Sequence, residues 1–117
     1  MRFVKLSSGK CKITWKQTST DTAAGLTAAN IISALGPESD SHNAVGALIT
    51  CETYDVRYTL DGDNAPTGSG GADFGHIMYA GSGLNLDDPR QVQNFKFCSL
   101  TAGSHGVLHI STFFAKM

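Results

Sequence analysis

Residues 10 to 16 read KCKITWK, an alternation of Cys11, Ile13 and Trp15 with Lys10, Lys12, Thr14 and Lys16. A pleated strand projects successive side chains to opposite faces, so this stretch predicts a half-buried strand with Cys11, Ile13 and Trp15 inward and a lysine-bearing outer face. Lysines in that position also guard a sheet edge against unwanted pairing. The same period returns from Val45 onward: Val45, Ala47, Ile49 and Cys51 share one parity, and Tyr54, Val56, Tyr58 and Leu60 share the other. The change of parity at Glu52 to Thr53 predicts a bulge or bend between two strands. Residues 106 to 114, GVLHISTFF, are apolar on both faces, with Leu108, Ile110 and Phe114 opposite Val107 and Phe113. Such a strand is central between two layers or covered by another subunit.

Two short strands are expected around Ala80 to Gly83, and another over residues 91 to 98, QVQNFKFC, where Val92 and Phe95 fall out of phase and predict a bulge near Asn94. In GLTAANIISALG the spacing of Leu26, Ala29, Ile32 and Leu35 is helical, with Thr27 as candidate cap and Gly36-Pro37 as the stop. The PESDSHN that follows reads as a loop, and residues 61 to 75, DGDNAPTGSGGADFG, as an extended turn in which GSGG supplies φ > 0 conformations. Thirteen glycines against three prolines agree with frequent turns, and 41% hydrophobic with 16% charged residues leaves enough apolar surface for a core. The expectation is an all-β chain of six to eight strands with one short helix, a jelly-roll-like or related antiparallel β-sandwich. Its 117 residues suit one domain, with residues 1–8 as an N-terminal arm.

The leading MRFVKL has no apolar stretch of ~7–15 residues and does not read as a secretory signal. No segment approaches the ~18 apolar residues that span a bilayer. Cys11, Cys51 and Cys98 are odd in number and widely spaced, which fits free thiols packed as small hydrophobes better than a disulfide between two of them. The net charge of −1 hides a segregation. Residues 1–20 carry five bases and no acid; residues 21–88 carry all ten acids and one base, Arg57; three bases follow, giving +5, −9 and +3. That polarity suits contact between unlike patches on neighbouring molecules or with an anionic partner, unless folding intermixes the charges.

Most searches for chemistry end early. His105 and His109 are four apart, but on a strand at ~3.3 Å per residue that separates them by ~13 Å, too far to share an ion. His42 and His76 fall in different polar loops without a ligand at chelating spacing. Asp61, Asp63 and Asp73 suggest calcium, yet an EF-hand counted from Asp61 would need glycine at Pro66 and an acid at Ala72, which leaves only an irregular oxygen site. GSGG lacks the lysine and hydroxyl of a phosphate loop. No nucleophile signature is present, and Asp87 and Asp88, if extended, face opposite ways. Trp15 between Lys12 and Lys16 resembles a nucleic-acid stacking platform but shares the parity of Ile13, so nucleic acid is not expected. The reading is a non-enzymatic chain without cofactor or metal.

The order of features from Gly25 onward resembles a family of small structural proteins of tailed bacteriophages. The shared segments are Gly25 to Ala29 (GLTAA), Ile49 to Glu52 (ITCE), Asp55 to Gly62 (DVRYTLDG), Pro66-Thr67, Gly75-His76, Ala80 to Leu86 as a hairpin, and Asn94 to Phe97 (NFKF). They cover about three quarters of the chain and are turn and strand signals. This sequence differs in a longer insert between Thr67 and Gly75 and in the basic strand Lys10 to Lys16. The resemblance implies a virion component of jelly-roll or related type, made in the host cytoplasm. It would sit on the capsid as a cement or decoration protein whose partners are the major capsid protein and copies of itself, with no membrane involved. The candidate contact residues are Arg2, Phe3 and Lys5 of the arm, Lys10, Lys12 and Lys16 of the first strand, Asp61, Asp63 and Asp73 of the loop, and Phe113 of the last strand. A carbohydrate-binding or adaptor module of a tail or fibre, using Tyr54, Tyr58 or Tyr79, is the alternative; an unrelated β-domain with an enzymatic or regulatory role is a third.

Overall fold

The computed structural model of the chain describes residues 9–31, 44–68 and 73–115. Four antiparallel strands form sheet A in the order β1 (Gly9–Thr18), β8 (Val107–Ala115), β3 (Ala44–Glu52), β6 (Gly83–Leu86). Four more form sheet B in the order β2 (Ala24–Gly25), β7 (Lys96–Ser99), β4 (Val56–Thr59), β5 (His76–Met78). The pairings β1–β8, β2–β7, β3–β6 and β4–β5 are those of one long hairpin whose successive stretches alternate between two sheets. The expected all-β architecture, a jelly-roll-like or related antiparallel β-sandwich, is therefore the one observed, with its strands paired in jelly-roll order.

Between the sheets lie Ile49, Leu108 and Ile110 from sheet A and Val56, Phe97 and Met78 from sheet B, none more than 3% exposed. Phe95 stacks on Tyr58 at 5.6 Å and meets Phe97 at 5.8 Å, which fills the wide end of the core. Burying each such side chain contributes about 1.5–3 kcal/mol. The parity change at Glu52 to Thr53 is where the chain leaves sheet A for sheet B, and Thr53 turns it with φ +79°.

Several local expectations are corrected. Residues 91 to 98 are not one strand: Pro89–Asn94 is helical, and β7 begins at Lys96. The Asp88 carboxylate accepts from the Arg90 amide at 2.8 Å and Pro89 opens the first turn, so Val92 and Phe95 point inward together by helical spacing rather than through a bulge at Asn94. The described residues therefore contain two short helices, this one (α2) and α1 (Ala28–Ile31). The Leu35 end expected for α1, its Gly36-Pro37 stop and the PESDSHN loop lie outside the described residues. Thr27 does not use its hydroxyl to cap α1 but donates it to Gln17 Oε1 at 3.2 Å.

In β1 a bulge sits between Cys11 and Ile13. Cys11 pairs with Phe113 on the outer face and is exposed, whereas Ile13 and Trp15 pair with the inward Thr112 and Ile110. A matching bulge between Ala44 and Gly46 flanks β8 at the same level, so Val45 leaves the parity of Ala47. Strand β8 is central in its sheet with one face buried; Val107 and Phe113, on the other, are half-buried. The two strands around Ala80 to Gly83 do not form a hairpin: β5 belongs to sheet B and β6 to sheet A. Tyr54 precedes β4 and is exposed instead of sharing the inward parity of Val56.

Candidate functional site

The connections decide which edges lie together. Strand β1 passes into β2 through residues 19–23, and Gln17 fastens the two by donating to Gly25 O at 3.2 Å and accepting from the Thr27 amide at 2.8 Å. On the opposite side β5 passes into β6 through residues 79–82. The sandwich thus has a β1/β2 edge and a β5/β6 edge, separated within sheet A by three strand spacings, about 14 Å.

Of the charge segregation in the sequence, the described side chains keep the acidic part. Lys16 is exposed at the first edge, and the same strand carries Lys10 and Lys12, whose side chains are not among the described ones. The one acid there, Asp21, accepts from the Gly103 amide. Toward the second lie Asp61, Asp63, Asp73, Asp87 and Asp88, all exposed. Nearby, Arg57 and Lys96 donate to backbone carbonyls, those of Gly75 at 2.9 Å and Gly62 at 3.3 Å, and Arg90 is exposed. Among the described residues no lysine or arginine pairs with a carboxylate; the one ion pair is His109–Glu52, 3.1 Å apart on the outer face of sheet A. Arg2, Phe3 and Lys5 lie outside the described residues, and Phe113 sits half-buried on that same outer face.

The 61–75 segment is ordered by its own side chains at both described ends. Asp61 accepts from the amides of Asp63 and Asn64 and from Asn64 Nδ2, which holds its carboxyl below the usual carboxylate range. With its oxygens turned to these donors, Asp61 is part of a turn, and the described residues contain no group of three His, Cys, Asp or Glu fit for a metal. Thr67 and Phe74 close the loop with two amide–carbonyl bonds, 3.0 and 3.1 Å. Among its described residues the left-handed ones are Gly62 and Gly75, at its ends, and Ser69 to Gly71 of GSGG lie outside the described residues. Gly68, the described member of GSGG, is required for a different reason: a Cβ there would collide with Ser99 O. The described end of the loop at Gly68 therefore lies against β7 of sheet B. Beside it, Thr59, Leu60, Asp61, Phe74, Gly75 and His76 line an open cleft of about 350 Å³. Phe74 is 48% exposed, and the His76 ring packs 5.4 Å from Tyr58 at the start of β5, not in a loop.

The remaining reactive side chains have structural partners. Gly106 N donates to Ser19 Oγ at 2.9 Å, Ser19 Oγ lies 2.8 Å from Ser99 Oγ, and Ser99 Oγ lies 2.7 Å from His105 Nδ1. Ser99 is 2% exposed, so this serine–imidazole contact has no open face for a substrate; it ties the end of β1 to β7 across the two sheets. His105 and His109 thus serve different partners. All three cysteines are free; Cys51 and Cys98 are buried, but Cys11 is not the packed thiol expected. Burial, with Asp55 and Glu52 nearby, pushes the Cys51 thiol up to about 11, and burial raises Cys98 also. The Trp15 indole donates to Gln17 at 2.9 Å and packs half-buried against the core. Sequence reasoning missed the cleft and the serine chain, because neither Ser19 and Ser99, 80 residues apart, nor Asp61 and His76 carry a local signal of their meeting. Comparison of the chain with models of protein families, with curated proteins and with solved structures finds no match.

Proposed function

We propose that this chain is a non-enzymatic assembly module of a tailed-bacteriophage particle, a jelly-roll domain that binds the head as a cement and bridges the major capsid protein and copies of itself. The observation that carries the assembly reading is that, among the described residues, no lysine or arginine pairs with a carboxylate, while exposed Lys16 stands on one terminal strand of sheet A and exposed Asp87 and Asp88 follow the other. Exposed unlike charge steers association and fixes orientation more than it stabilises a monomer. The placement on a phage head rests on the resemblance of segments such as Asp55 to Gly62 and Asn94 to Phe97. A cement adds buried area across seams, and a standard contact of ~1,600 Å², repeated over many copies, resists internal pressure without chemistry. Particles produced with and without the chain test this: the protein co-sediments with heads, and heads lacking it break at lower temperature. Equal thermal stability of the two, with the chain left in the supernatant, removes the reading.

A second reading, carbohydrate binding on a tail or fibre, is favoured by the cleft, where exposed Phe74 stands beside the Asp61 carboxylate and His76. Aromatic stacking with flanking polar groups suits a sugar ring. A glycan array decides: signal lost in Phe74→Ala supports it, and a blank array beside capsid binding eliminates it.

A further inference from the structure

We propose that the open cleft beside the 61–75 loop receives an amino sugar, a hexosamine ring whose apolar face stacks on Phe74 and whose ammonium group pairs with the Asp61 carboxylate. This rests on the carbohydrate reading above and names the class of sugar.

The walls of the cleft are set by the fold. Two amide–carbonyl bonds to Thr67, 3.0 and 3.1 Å, hold the Phe74 backbone, yet its side chain is 48% exposed and meets no other aromatic ring among the described residues. Gly75 follows with φ +114°, and a Cβ there would come within 2.9 Å of Tyr58 O, so no side chain intrudes between Phe74 and His76. The exposed His76 ring is placed by packing 5.4 Å from Tyr58. A volume of about 350 Å³ stands near the lower end of the ~300–1,000 Å³ of small-molecule sites and suits one or two rings. An exposed aromatic face with polar groups at its flank matches a pyranose, which carries C–H bonds on its face and hydroxyls at its rim.

Charge then chooses among sugars. Asp61 is the one acid that lines the cleft, and no lysine or arginine lines it. Its carboxylate accepts from the Asp63 and Asn64 amides and from Asn64 Nδ2. Those donors are neutral, so they favour the ionised form without cancelling its charge, and Oδ2, with one bond, keeps a free lone pair. Asp63 and Asp73, both exposed, add the same sign on either side of the cleft in the chain. Arg57 and Lys96 donate to Gly75 O and Gly62 O from the outer face of sheet B. A uronate, a sialate or a phosphorylated sugar would bring like charge to this site, and a neutral hexose would leave the carboxylate without a counter-charge. An amino sugar supplies both halves: a C–H face for Phe74, and an ammonium that Asp61 and the ring face both attract.

Titration calorimetry of the full chain at about pH 7 and low salt tests this with tetrasaccharides of glucosamine, N-acetylglucosamine and galacturonate. The glucosamine tetramer binds, its acetylated counterpart binds about fivefold or more weakly, and the galacturonate tetramer does not bind. Rising salt narrows the first difference. Phe74→Ala abolishes binding of both amino-derived tetramers, and Asp61→Asn, which keeps an acceptor for the two amides, makes their affinities equal. Circular dichroism establishes that each variant is folded; if Asp61→Asn is not, the salt dependence of the wild type carries the test. Equal affinities of the wild type for the glucosamine and acetylated tetramers, binding unchanged in Phe74→Ala, or no binding of the glucosamine tetramer each overturn the amino-sugar assignment. When other sugars still bind through Phe74, only the class of sugar is lost. When neither these tetramers nor any sugar on the glycan array binds, the carbohydrate reading falls as well.

Discussion

The outer faces of the two sheets are finished differently. Sheet B is met by its own chain: the described ends of the 61–75 loop bond to its outward Arg57, Thr59 and Lys96, Gly68 has no room for a Cβ against Ser99 O, and Cys98 and Thr59, both outward by strand parity, are buried. Sheet A is bare. Its outward row of Thr14, Lys16, Leu48, Thr50, Glu52, His109 and Ser111 meets solvent, held by a Thr14–Ser111 hydroxyl contact of 2.7 Å and the His109–Glu52 pair. The difference teaches that, among the described residues, the outward side chains of one layer find partners in a loop of the same chain, while those of the other meet solvent.

Perturbations of the two layers sharpen that contrast. Phe97→Ala empties the core they share and costs about 3–5 kcal/mol, read as one cooperative urea transition at lower midpoint; two separate transitions would mean the sheets are independent. Ser19→Ala cuts the chain joining β1 to Ser99 and leaves the Gly106 amide without its acceptor, for about 1–3 kcal/mol by the same measurement. Gly68→Ala lifts the cover from sheet B at about 1–3 kcal/mol of strain. Its more direct readout is thiol labelling: one fast-reacting cysteine, Cys11, in the wild type becomes two as Cys98 is uncovered.

The Cys51 thiol predicts a pH dependence. Its folded value, about 11, lies above the ordinary 9.0, so between those values the unfolded chain loses a proton that the folded chain keeps. Stability is full below about pH 9 and declines as pH rises toward 11, and Cys51→Ala flattens that slope. The smallest effect belongs to the bare face: Glu52→Gln shifts stability by under about 1 kcal/mol, since both partners of its ion pair are substantially exposed. A larger loss would show sheet A to be more tightly organised than its solvent contact implies.

Alternation of apolar residues made β3, β4 and β8 legible, and with them the all-β class. The α2 segment misled because Val92 and Phe95, three apart, fit neither strand phase, while the informative signal was the Asp88-Pro89 start. The bulge at Lys12 left no trace in the sequence, since an extra residue shifts pairing without changing composition. Of the candidate site, the sorting of charge could be read directly from residue order, but its survival on folding could not.

What the sequence determined by itself was periodicity, turn positions and the order of charge along the chain, all consequences of neighbours within a few residues. Only the tertiary structure decided that β1 and β6 are the terminal described strands of sheet A, that the described ends of the 61–75 loop bond to sheet B, and that Ser19, Ser99 and His105 meet. Those contacts join residues separated by tens of positions, and which of them form depends on how two whole sheets fit over one core rather than on any local preference.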